Sequence, residues 1–270
     1  MPEIAEVETV RNTLKQRVLN KNIIEVIVRY PKIIENDLEY FKKNLINEKF
    51  IDIKRIGKWL LFELDNYYLL SHLRMEGKYF LKNKDELYEK HEHVIIRFKD
   101  FDLRYHDTRK FGRMKIVKKD ELFKEEAIKK QGVEANDQKN LTSNYLYELI
   151  KNKNIAIKTL LLDQSIISGL GNIYVNEVLF ASKINPLKKG KELNIEDCQK
   201  IVNSSIEIIN QAIKNGGTTI KSYTSSLGVT GRFQQYLKVH KQSNCPDCQK
   251  KLNVEKINGR TTYYCSKCQI

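Results

Sequence analysis

Four of the five cysteines fall in one array. Cys245-Pro-Asp-Cys248, then sixteen residues, then Cys265-Ser-Lys-Cys268 make a C-x2-C-x16-C-x2-C pattern. Each C-x-x-C turn presents two thiolates on one side, and two such turns complete a tetrahedral all-sulfur zinc site. Every corner is cysteine, so no ligand position stays open for catalysis. The competing reading is two buried thiol pairs or disulfides. The spacing predicts a ribbon stapled by one structural Zn2+. Cys198 lies alone in a helical stretch and reads as a core residue.

Between the cysteine pairs the chain reads as a hairpin. Lys251–Lys256 alternates, Asn258-Gly259 is a two-residue turn signal, and Arg260–Tyr264 returns. Arg260 follows the turn and stands roughly 17 Å of extended strand from Cys265. That is too far to support a metal, so Arg260 is a cation carried on a stapled arm. Residues 232–270 hold eight Lys/Arg against two Asp/Glu.

The whole chain shares that excess. Lys+Arg number 48 against 34 Asp+Glu, a formal charge of +14. Such a surface suits a polyanion, nucleic acid or an anionic membrane. The 270 residues are 41% hydrophobic and 30% charged, enough for one large domain or two ordinary ones and unlike a disordered chain. No apolar run approaches the roughly 18 residues of a membrane span. The opening MPEIAEVETV lacks the apolar stretch of a signal peptide. A soluble cytoplasmic protein without a membrane partner is expected, and a reducing compartment disfavours disulfides.

Periodicity divides the rest. Val7, Val10, Leu14 and Val18 recur at helical spacing. Short strands follow over Ile23–Tyr30, Phe50–Ile56, Lys58–Leu64, Tyr67–Leu73, His93–Lys99, Phe101–Tyr105 and Arg113–Val117, a sandwich or barrel pattern. Helical spacing returns over Glu121–Lys129, Ser143–Lys151, Ile155–Asp163, Ile173–Lys183 and Ile195–Lys214, with a polar boundary near Gln131–Asn140. Between the third and fourth of these helices, Gly169 and Gly171 lead to Asn172 at a predicted N-cap. A glycine turn feeding a helix start points N–H groups outward and suits a phosphate, although an ordinary packed hairpin explains it too.

These strings occur together in a known order. Pro2-Glu3-Ile4-Ala5-Glu6-Val7-Glu8-Thr9, Gly57-Lys58, His72-Leu73-Arg74-Met75-Glu76-Gly77, Asp107-Thr108-Arg109-Lys110-Phe111-Gly112, Gly171-Asn172-Ile173-Tyr174 and the cysteine array span essentially the chain. Jointly they resemble bacterial formamidopyrimidine-DNA glycosylase, which removes 8-oxoguanine and ring-opened purines from DNA. The resemblance implies an α+β fold: residues 1–130 as an N-terminal helix with a two-layer β-sandwich, 131–231 as a helical domain with a helix–two-turn–helix, and 232–270 as a zinc ribbon. It implies a monomer acting on damaged double-stranded DNA. Ala5 stands where the family usually has proline, a change in chain stiffness rather than in a reacting atom.

Residue chemistry rationalises the implied roles. Once Met1 is removed, Pro2 carries a free secondary amine that can attack C1′ of a deoxyribose and displace the base. The iminium formed has no N–H to lose, so it stays cationic and acidifies the C2′ proton for β-elimination. By position alone, Pro2 is a favourable helix start. Glu3 would be the general acid, where a plain helix-dipole carboxylate is the bland reading. Lys58, in a predicted strand, and Arg260 are implied at phosphate and in the eliminations. Arg260 stays protonated, so it serves as an electrostatic stabiliser.

A duplex base must flip out to react. Met75, Arg109 and Phe111 match the family's wedge, which fills the vacated stack and addresses the orphaned base. His91, Lys153, Lys158 and Asn172 match positions implied to hold DNA phosphates, and Gly216-Gly217-Thr218-Thr219 opens the stretch resembling the lesion-covering loop. Two other readings stay open. One is an endonuclease VIII-like relative, which also starts Pro2-Glu3 but prefers oxidised pyrimidines; the Met75/Arg109/Phe111 set argues against it. The other is a noncatalytic zinc-ribbon DNA binder, which has no need of a free imino terminus.

Overall fold

The computed structural model describes residues 1–218 and 231–270. The chain forms two compact units, residues 1–129 with 216–232, and residues 130–215 with 233–270.

The first unit opens with α1 (Ile4–Val18), whose Val7, Val10, Leu14 and Val18 are buried as their spacing predicts. Strand β1 (Glu25–Val28) and helix α2 (Leu38–Leu45) follow. Then come β2 (Asp52–Ile56), β3 (Trp59–Glu63), β4 (Tyr67–His72), β5 (Lys78–Asn83), β6 (Glu92–Arg97), β7 (Phe101–His106) and β8 (Arg113–Lys118). They pair into two antiparallel four-stranded sheets, ordered β1-β6-β7-β5 and β2-β3-β4-β8. Val26, Ile96 and Leu103 of one sheet share a core with Ile53, Phe62 and Ile116 of the other, joined by α1 and α2. The expected sandwich is present.

Strand β3 shows why its apolar run is unbroken. Leu60 and Phe62 face the shared core, whereas Trp59 and Leu61 join Tyr68, Leu70, Val117, Leu122 and Ile128 on the sheet's other face. The expected helix over Glu121–Lys129 is instead a 3-10 turn at Lys119–Lys124 and one α-turn, α3, at Glu126–Lys129. Leu122 and Ile128 both reach that sheet face. Six residues apart, they would lie about 240° from each other on a continuous helix.

In this unit helix α2 and strand β5 are absent from the sequence reading. Helix α2 spans only eight residues, too few for a clear period, and begins where the Asp37 carboxylate accepts the Tyr40 N–H at 2.8 Å. Strand β5 carries Tyr79-Phe80-Leu81 without alternation because both faces are used. Tyr79 is buried and donates to Ser71 Oγ at 2.7 Å, while Phe80 packs edge-on to His106.

The second unit contains α4 (Ser143–Ile150), α5 (Ile157–Leu162), α6 (Asn172–Ala181) and α7 (Ile195–Lys214), with a short parallel pair, β9 (Val133–Glu134) and β10 (Ile167–Ser168). Helix α6 packs on α5 and α7, and its residues 173–180 are buried all round. Cys198 is a core residue of α7, as expected. The hairpin β11 (Asn253–Ile257) and β12 (Arg260–Tyr264) pairs Ile257 with Arg260. Asn258 (φ 47) and Gly259 (φ 72) are both left-handed, as a type I′ turn requires. No helix among the described residues is long and apolar enough to cross a membrane.

Candidate functional site

In the first unit the amino terminus, Glu3 and Lys58 converge. Pro2 and Glu3 are buried at the start of α1. The Glu6 carboxylate accepts the Glu3 N–H at 2.9 Å, tying the entry of the helix. Burial lowers the Met1 amine, and the charges of Glu3, Glu6, Lys58 and Glu76 all act on it. Lys58 is not in a strand. It is the second residue of the two-residue turn between β2 and β3, is buried, and follows Gly57 at φ 56. The turn is anchored to α1: Arg55 donates to Gly57 O and to Glu8 Oε2, each at 2.9 Å. A tight turn shows no period, which is why the apolar run beside it absorbed Lys58.

Glu6 has a second task that its place in the sequence conceals. Its Oε1 accepts the Thr218 N–H at 2.7 Å and the Thr218 hydroxyl at 3.0 Å. Gly217, at φ 75, lies against the same carboxylate, where a Cβ would come within 2.6 Å of Oε1. The stretch matched to the lesion-covering loop thus starts from a carboxylate that also holds the helix entry. Thr219 and the rest of that stretch lie outside the described residues.

The wedge candidates sit on two loops shaped by buried groups. Asp107 is fully buried; its carboxylate accepts the Arg109 N–H at 3.0 Å and the Gly112 N–H at 2.8 Å. Between them Lys110 takes φ 58. This local Asx-type closure leaves Arg109 and Phe111 exposed, the guanidinium 4.8 Å from the ring centroid. Met75, half-buried, follows Arg74 at φ 52, whose N–H is accepted by His72 Nδ1 at 3.0 Å. Burial, with the charges of Arg74, Lys58 and Arg113, lowers His72 to about 3, so its ring is a neutral acceptor. Thr108 donates to Glu76 and links the loops. The Tyr105 hydroxyl lies between them. A Cβ at Gly77 would sit 2.3 Å from it, and one at Gly112 only 1.7 Å. Gly112→Ala is therefore expected to cost about 1–3 kcal/mol of stability and to displace Phe111. Thermal unfolding checks the first effect, and an unchanged Tm would show that Tyr105 yields freely.

His91 stands beside these loops, its carbonyl accepting the Asp107 N–H at 3.0 Å and its ring 5.6 Å from that of His106. Unit one therefore holds Pro2, Glu3, Lys58, Met75, His91, Arg109 and Phe111.

The second unit holds the other candidates. Lys153 is exposed beyond α4. Asn172 is not an N-cap: Gly171 occupies that position and Asn172 is the first helical residue. Its Nδ2 donates instead to Thr261 O on β12 at 2.9 Å. Arg260 is exposed at the tip of the same strand. Lys158 is buried, with its ammonium on Asn176 Oδ1, Thr261 O and Thr262 Oγ1. Its matched phosphate position is thus filled by protein acceptors. Glu177 accepts the backbone N–H groups of Lys238, Val239 and His240, fastening the approach to the ribbon. Burial lowers His240 to about 4, keeping it neutral against Asn176 Nδ2 at 2.9 Å.

Cys245, Cys248, Cys265 and Cys268 bring their sulfurs within 4.8 Å of one another. Cys245–Cys268 is 3.8 Å and Cys248–Cys265 is 3.5 Å. Metal–sulfur bonds of about 2.3 Å in a tetrahedron require edges of roughly 3.8 Å. The set can hold a metal ion.

Comparison with known proteins gives full-length matches. Residues 1–114 match the Formamidopyrimidine-DNA glycosylase N-terminal domain, and residues 132–224 the Formamidopyrimidine-DNA glycosylase H2TH domain. The chain is 44% identical to the formamidopyrimidine-DNA glycosylase of Bacillus cereus, covering 100% of this chain and 99% of the relative. It is similar to a mutant Lactococcus lactis FPG solved with a Fapy-dG containing DNA (TM-score 0.95, 38% identity, 99% of each chain). It is likewise similar to the Lactococcus lactis Fpg solved with an abasic site containing DNA (TM-score 0.94, 38% identity, 99% of each chain).

Proposed function

The chain belongs to the formamidopyrimidine-DNA glycosylase family, and on that premise we propose a full residue-level activity for it. It excises 8-oxoguanine and formamidopyrimidines from duplex DNA and cuts the strand by β,δ-elimination, acting as a cytoplasmic monomer. The observation that carries this reading is the convergence of the amino terminus, Glu3 and Lys58 in one buried corner.

Removal of Met1 leaves the Pro2 nitrogen as the terminal amine. Burial works against a protonated form and so favours the free lone pair that attack needs. Attack on C1′ expels the base. Glu3 supplies a proton to the sugar oxygen or departing group, and the resulting iminium accepts the electron pair when C2′ is deprotonated. The 3′-phosphate leaves, then the 5′-phosphate. Lys58 and Arg260 stabilise the phosphates and their departure. His91, Lys153 and Asn172 bind the DNA strand beside them. Met75 and Phe111 fill the gap left by the flipped nucleotide, and Arg109 addresses its orphaned partner base. Cys245, Cys248, Cys265 and Cys268 hold one Zn2+, which supplies a rigid staple for the hairpin carrying Arg260. The functional division is 1–130, 131–231 and 232–270.

Duplexes carrying 8-oxoguanine or an oxidised pyrimidine decide the substrate: faster cleavage of the pyrimidine would overturn the purine assignment. The wedge is tested separately. Phe111→Ala should slow excision from duplex DNA at least about tenfold more than cleavage at a preformed abasic site, because flipping costs a few kcal/mol. Equal losses on the two substrates would make Phe111 merely structural.

A further inference from the structure

Lys158 is 0% exposed, on α5. An ammonium has three protons. They meet Thr262 Oγ1 at 2.7 Å, Asn176 Oδ1 at 2.9 Å and Thr261 O at 3.1 Å. Two of those acceptors lie on β12, and the effect of holding them passes directly to Arg260. Thr262 Oγ1 accepts from Lys158, so its own proton is free to donate to Arg260 O, at 3.1 Å. Thr261 O is held twice, by Lys158 and by Asn172 Nδ2. Asn176 is in turn fixed by His240, whose ring packs on Tyr263 with centroids 5.2 Å apart. Both peptide carbonyls that follow the Arg260 side chain, its own and that of Thr261, are thus braced from inside the helical core. The guanidinium itself is exposed.

We propose that Lys158 is a positioning residue for Arg260 and not a phosphate contact. It locks the Arg260–Thr262 backbone to helices α5 and α6, and so aims the guanidinium carried at the tip of the hairpin. A type I′ hairpin with one exposed strand is soft by itself, and displacement of a catalytic group by about 1 Å can cost on the order of 100-fold in rate. The buried ammonium prevents that displacement. The proposal rests on the reading of Arg260 as the cation that serves phosphate departure.

A double-mutant cycle tests it with the full chain: wild type, Lys158→Met, Arg260→Ala and the double variant. Two quantities are read, the ratio of δ- to β-elimination product on abasic duplex, and the salt slope of binding to a tetrahydrofuran-containing duplex. Lys158→Met should lower the product ratio by up to about 100-fold. Arg260→Ala should lower it as well, with the double variant no worse than Arg260→Ala. The salt slope should shrink by about 0.9 in Arg260→Ala and by no more in the double variant. Additive losses, with a further slope change of about 0.9, would put Lys158 on a phosphate itself and overturn the proposal. A wild-type product ratio in folded Lys158→Met would also overturn it. A wild-type ratio in Arg260→Ala would instead remove the reading of Arg260. Should Lys158→Met fail to fold, Thr262→Val carries the test, because it keeps the ammonium but deletes the hydroxyl between Lys158 and Arg260. It should lower the ratio in the same direction, and no change would overturn the proposal.

Discussion

Protein that retains Met1 is expected to lose base excision and borohydride trapping by more than about 10³-fold. Retention turns the Pro2 nitrogen into a tertiary amide, whose lone pair is delocalised into the carbonyl and unable to attack. An N-terminal extension should do the same. DNA binding should persist, because the cations proposed for it are Lys58, Arg109, Lys153 and Arg260 and not the Pro2 nitrogen. The surroundings sharpen the contrast. The Met1 amine is already pushed down by burial, and Pro2 lies deeper than Met1. Mass spectrometry must establish the terminus first. A Met1-retaining protein that trapped DNA normally would sink the Pro2 mechanism and make an internal amine such as Lys58 the leading nucleophile. Pro2→Gly with Met1 removed is the gentler variant, since glycine keeps an amine of altered basicity and some activity can survive.

The second large effect concerns the ribbon. Its own apolar cluster is small: Val239, Leu252 and the cysteines packed against Phe180 of α6. A module so thinly cored would depend on a metal bound by the four cysteines, and zinc-finger peptides gain about 10–16 kcal/mol from binding zinc. Cys265→Ser should therefore melt the hairpin β11–β12, remove Arg260 from its place, and weaken DNA binding at least about tenfold with a shallower salt slope. The first unit has its own core and should stay folded. Freshly purified, reduced protein with an intact hairpin and no bound zinc in elemental analysis would refute the four-thiolate zinc reading.

Much of the architecture was legible before any coordinates. Val7, Val10, Leu14 and Val18 mark the buried face of α1 because a helix repeats every 3.6 residues. Asn258-Gly259 marks the hairpin because both residues tolerate left-handed φ. Signals failed where local pattern carries no period. Strand β5 is apolar on both faces, α2 is two turns long, and the segment over Lys119–Lys129 breaks so that Leu122 and Ile128 can both cover one sheet. The sequence reading passed over Glu6, although a carboxylate three residues after Glu3 has the spacing of a reciprocal helix entry. It likewise passed over Asp107, at the head of Asp-Thr-Arg-Lys-Phe-Gly, whose residue type suits an Asx-type loop.

By itself the sequence determined the four-cysteine set, the hairpin that separates its halves, the strand-rich and helix-rich regions, and an amino terminus able to expose a secondary amine. Each depends on spacing within a few residues or on residue type alone. Only the tertiary structure decided what the long-range partners are. It drew Asn172 away from the helix cap to Thr261, 89 residues on, and placed the Glu6 carboxylate against Thr218, 212 residues away. It also set the Lys158 ammonium, matched to a phosphate-holding position, against Thr262, 104 residues away. A buried polar group must find its partner wherever packing brings one, because leaving it unmade costs the full desolvation of that group. Local spacing cannot encode which distant strand will supply the acceptor.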